Sequence, residues 1–132
     1  MRDDDPAGQA TDPEQLVELA HQMFDWARAG DTERVDAYVE AGVPVNLTDA
    51  SGNTLLMLAA YHGHPATVTA LAGRGADVDR LNDRGQSPLA GAVFKDEQEV
   101  VRALLAAGAD PDAGSPTARE TAAMFERPEL FT

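Results

Sequence analysis

The sequence predicts an all-α solenoid of stacked helix-turn-helix units joined by hairpin-like loops. Three observations predict it. Glycines recur 33 residues apart, as Gly42, Gly75 and Gly108 in one set and Gly52 and Gly85 in another. Helix start and stop signals fall at the same places within each interval. Alanine and leucine carry most of the apolar content and only 5% of residues are aromatic, which suits thin, closely packed helices better than a wide sheet sandwich.

Residues 1–10 are acidic and show no apolar period, so a disordered acidic tail is expected there. Thr11-Asp12-Pro13-Glu14 then reads as a helix start, with a capping side chain and proline at the first helical position. Leu16, Leu19, Ala20, Met23, Phe24 and Ala27 follow at helical spacing, and Gly30 suits a left-handed stop. This long helix, carrying Trp26, reads as an N-terminal cap that completes a first unit over 11–48.

The next two units span 49–81 and 82–114 and share one plan. A glycine turn leads to Thr54 or Ser87, whose hydroxyl can cap a short helix over Leu55 to His62 or Pro88 to Lys95. A tight corner comes at Gly63 or Asp96. A second helix then carries Val68 and Leu71, or Val100, Val101, Leu104 and Leu105, toward the core. It stops at Gly75 or Gly108, before Ala76-Asp77-Val78-Asp79 or Ala109-Asp110-Pro111-Asp112. One such unit cannot bury its apolar face alone, but stacked neighbours can. Residues 115–132 read as a truncated C-terminal capping repeat, keeping Arg119-Glu120-Thr121-Ala122-Ala123 shifted by one residue and a short helix after Pro128.

These residues resemble the ankyrin repeat, with its Gly-x-Thr-Pro-Leu-His-x-Ala-Ala start and Gly-Ala-Asp-x-Asn end. Gly52-Asn53-Thr54-Leu55-Leu56-Met57-Leu58-Ala59-Ala60, with Gly63-His64 after it, carries the likeness, and Gly85-Gln86-Ser87-Pro88-Leu89 repeats it. The likeness covers about Met23 to Phe125 and is similar to short, stand-alone ankyrin-repeat proteins of bacteria. Met57 and Ala90 stand where the pattern has histidine, so the turn-bracing hydrogen bond implied by the family is lost there.

The resemblance implies binding of a protein partner through hairpin tips and the inner faces of the first helices. Carried onto this chain, the tips are Leu47, Thr48, Ala50, Ser51 and Asn53, then Arg80, Leu81, Asp83, Arg84 and Gln86. The inner positions are Arg28 and Ala29, Tyr61 and His62, and Phe94 and Lys95. Tyr61 and Phe94 lie one period apart and are expected to stack along one face with Arg28, the alternative being that they pack down between helices. Exposed aromatics beside arginine are common material of interface hot spots.

Other chemistry has little to stand on. No cysteine, phosphate loop or nucleophile elbow is present, so neither catalysis nor a cofactor is expected. His62 and His64 lack a third metal ligand, and Asp77, Asp79, Asp110 and Asp112 fit turn closure better than calcium. The net charge of −13 disfavours nucleic acid and anionic membrane and makes a basic protein the natural complement. That charge also motivates a second reading, an acidic inhibitor or immunity-type protein masking a basic surface of a partner enzyme. With no apolar run of membrane or signal length, the expectation is a cytoplasmic monomer.

Overall fold

The computed structural model describes residues 12–131, so the expected tail at 1–10 lies outside it. Seven α-helices follow in order: α1 (Pro13–Ala29), α2 (Thr32–Glu40), α3 (Leu55–Tyr61), α4 (Pro65–Gly73), α5 (Pro88–Phe94), α6 (Gln98–Ala106) and α7 (Ala118–Met124). A 3-10 turn at Pro128–Phe131 closes the described chain. Odd-numbered helices form an inner row and even-numbered ones an outer row. Each helix packs on its mate in the same unit and on its counterpart one unit away. The result is an all-α repeat solenoid.

The inner helices α3, α5 and α7 start at capping hydroxyls, and α1 at the Asp12 carboxylate. Thr54 accepts from the Met57 amide at 3.1 Å and Ser87 from the Ala90 amide at 3.0 Å, and both caps are buried. Thr117 forms a full capping box with Glu120, satisfying two amides at a helix start. Each inner helix ends on a residue with positive φ: Gly30 at 75°, Gly63 at 81°, Asp96 at 57° and Glu126 at 60°. That corner turns the chain back into the outer row.

The core runs down the seam between the rows. Leu55, Leu56 and Leu89 are sealed from solvent, while Ala27, Ala59, Ala92 and Ala122 let neighbouring inner helices approach. Val35, Val68 and Val101 repeat on the outer row, all buried. Two expectations need correction. Leu105 is not in the core but 36% exposed, because among the described residues the outer row beyond α6 holds only the 3-10 turn at Pro128–Phe131. Leu16 is also exposed, since α1 has 17 residues and overruns the seven-residue α3 beside it.

The loops carry their own bonding. Asp49 accepts from the Ser51 and Asn53 amides, and Asn82 does the same for Arg84 and Gln86. Among the described residues no strand forms, only a bridge between Thr48 and Thr54. Neighbouring tips are joined directly: the Asp83 amide donates to the Ser51 carbonyl at 3.0 Å and the Ser115 amide to the Gly85 carbonyl at 2.9 Å. Behind the tips, Asn46 accepts from the Asp77 amide and Asp79 from the Asp110 amide. Asp77 and Asp110 also accept from the amides of Asp79 and Asp112, which is turn closure.

Candidate functional site

The stack leaves a row of hollows between the hairpin tips and the inner helices. The first, of about 450 Å³, lies between α1 and the first tip and is lined by Phe24, Arg28, Thr48 and Ser51. The second, of about 370 Å³, is lined by Ser51, Asn53, Tyr61, Asp83, Arg84 and Gln86. The third, of about 260 Å³, has Tyr61, Gln86, Phe94 and Met124 among its walls. Tyr61 is the partition between the last two.

Tyr61 and Phe94 are 40% and 59% exposed, so neither ring is packed down between helices. Nor do they stack with each other or with Arg28. The two rings instead flank the third hollow from opposite sides. Tyr61 lies beside Gly91, beneath the Lys95 ammonium at 4.5 Å from the ring centre, and meets His62 edge-on. Phe94 meets Phe125 edge-on at 5.8 Å. Arg28 turns to Asp25 at 2.9 Å and Asp49 at 4.0 Å.

The tip residues divide into scaffold and surface. Asn53 donates to Asp49 and accepts from Asn82, and Gln86 accepts from the same Asn82 amide group, so both hold the loops. Asp83 packs against Gly52. Arg80, Arg84 and Lys95 are exposed and make no ion pair among the described residues. Arg80 lies outside the three hollows.

Four residues outside the sequence-based set matter here. Asp49 and Asn82 shape the tips, and their one-period spacing, three residues before Gly52 and Gly85, is a signal for them. Met124 and Phe125, both exposed, extend the Tyr61–Phe94 row by one more layer. Ser87 and Thr117 lie thirty residues apart where Thr54 and Ser87 lie 33 apart, so a strict period misses this extension.

Positive charge gathers at this edge. His62 has its pKa lowered from the ordinary 6.5, first by burial and then by the charges of Lys95, Arg28 and His64. The folded state therefore holds fewer protons at His62 than the unfolded chain, and this contribution to stability is lost as pH falls below about 6.5. Lys95→Ala is expected to move the His62 titration upward in an NMR pH series. An unmoved curve would place the ammonium elsewhere. Among the described residues no group of three His, Asp or Glu is placed to hold a metal ion, and no helix is long and apolar enough to cross a membrane.

Comparison with known proteins agrees with this architecture. The family profile described as ankyrin repeats matches in three copies over residues 23–115. An ankyrin repeat protein of Pseudomonas aeruginosa is 49% identical over 51 residues, covering 39% of this chain and 30% of the relative. An ankyrin repeat-containing protein of Treponema pallidum is 39% identical over 84 residues, 63% of this chain and 28% of the relative. An ankyrin repeat protein of Escherichia coli is 30% identical over 84 residues, 64% of this chain and 42% of the relative. The chain thus spans less than a third of the length of the first two. Periodic glycines, capped inner helices and the profile match converge: the chain belongs to the ankyrin-repeat family, whose repeats generally mediate protein–protein interaction.

Proposed function

We propose that this chain is a non-catalytic binding module that holds a segment of a partner protein along the inner helices and hairpin tips. The observation that carries the reading is the pair of exposed rings, Tyr61 and Phe94, on either side of one apolar hollow of about 260 Å³. An apolar partner side chain fits between them. Lys95 above Tyr61 and Arg84 at the tip, which makes no ion pair among the described residues, favour a carboxylate nearby on the same segment. The expectation of a basic partner rests on the net charge of −13 alone. The acidic-mimic reading finds no supporting feature here either.

The test is affinity for a partner captured from lysate and identified by mass spectrometry. The double variant Tyr61→Ala with Phe94→Ala is expected to weaken binding by about 30-fold or more, as two hot-spot rings are lost. Both side chains are exposed, so the fold should survive, and circular dichroism checks that. Unchanged affinity in the folded double variant would refute the site.

A further inference from the structure

The third hollow, of about 260 Å³, draws its walls from three inner helices: Met57 and Tyr61 of α3, Ala90 and Gly91 of α5, and Thr121 and Met124 of α7. It passes over the waist of α5 because that waist is thin. One 33-residue period earlier, α3 has Met57 and Leu58 where α5 has Ala90 and Gly91. Both of those α3 side chains are buried. The backbone does not require the glycine. Gly91 lies inside α5, and glycine in a helix is less stable than alanine. Nor does space require it, since an added Cβ would lie 3.5 Å from Cδ1 of Tyr61, an ordinary contact.

We propose that Gly91 sets the specificity of the Tyr61–Phe94 face, an inference that rests on the binding mode proposed above. The hollow is a socket for one aliphatic side chain of leucine or methionine size, on a partner segment that carries a carboxylate close by. The partner's side chain supplies over α5 the bulk that Met57 and Leu58 supply on α3. Among the described residues none that lines the hollow is charged, which suits an apolar anchor. The Lys95 ammonium stands 4.5 Å from the centre of the Tyr61 ring and makes no ion pair among the described residues. An anchor seated against Tyr61 brings its chain neighbours beside that ammonium, so an acidic neighbour is attracted and a basic one repelled. Glycine at 91 gives up helix stability to leave room.

A random peptide library displayed on phage and panned against the full chain tests it. Enriched peptides are expected to share one leucine, isoleucine or methionine with an aspartate or glutamate within a few residues. The best peptide, titrated by NMR, should shift Tyr61, Gly91 and Phe94. Gly91→Ala should raise the urea midpoint of unfolding yet weaken that peptide about tenfold, the effect of one small group too many in a fitted apolar pocket. Panning on Lys95→Glu should keep the apolar residue and lose the acidic one. If Tyr61→Ala with Phe94→Ala abolishes binding and Gly91→Ala leaves it unchanged, the socket falls and the binding face stands. If neither variant changes it, both fall. Enrichment of basic peptides or of peptides without a leucine-sized residue, no enrichment at all, or self-association of the chain through this face in place of peptide binding would each overturn the proposal.

Discussion

Leu89→Ala is expected to destabilise the fold by about 3 kcal/mol, from lost transfer energy and the cavity left behind. Leu89 is sealed from solvent in α5, which packs against α3, α6 and α7 together. No neighbour can collapse into the gap without leaving a partner on its other side. A domain of this kind has about 5–15 kcal/mol of total stability, so the loss is a large fraction. Leu105→Ala removes the same atoms from a site one-third open and should cost under about 1 kcal/mol. Urea melts followed by circular dichroism give both numbers. Near-equal losses would show that Leu89 does not occupy a closed seam.

Gly30→Ala is the second large effect, at about 2–3 kcal/mol. Gly30 sits at φ 75°, where a side chain costs about 1–2 kcal/mol. An added Cβ would also fall 2.4 Å from Nδ1 of His64 and 2.6 Å from its Cγ. The ring must then swing away, breaking the hydrogen bond that His64 Nε2 donates to the Arg28 carbonyl at 2.7 Å, worth about 1 kcal/mol. Gly75→Ala isolates the first of these costs. Gly75 has φ 90° but open space around it, so about 1 kcal/mol is expected. If both variants melt alike, His64 does not brace the first corner.

The middle of the molecule was readable from the sequence because stacking leaves little choice. Each unit must present the same capping hydroxyl, the same small residues and the same buried valine to an identical neighbour. Thr54, Ser87, Val68 and Val101 therefore sit where the 33-residue period puts them. The ends were harder. Leu105 has a buried residue's chemistry and register yet is 36% exposed, because periodicity reports a position and not what covers it. Met124 and Phe125 join the aromatic row only because the last loop is three residues shorter. The expected stacking of Tyr61, Phe94 and Arg28 gives way to other partners: Tyr61 meets Lys95 and His62, Phe94 meets Phe125, and Arg28 turns to Asp25 and Asp49.

The bonds between neighbouring hairpin tips bear on what a ligand encounters. With Asp83 held to Ser51 and Ser115 to Gly85, the loops form one stiff comb whose tooth spacing is preset. Under the proposed binding mode, a ligand that spans two teeth would have no gap to adjust, and segments whose contact points are out of step by one residue would be turned away by geometry alone.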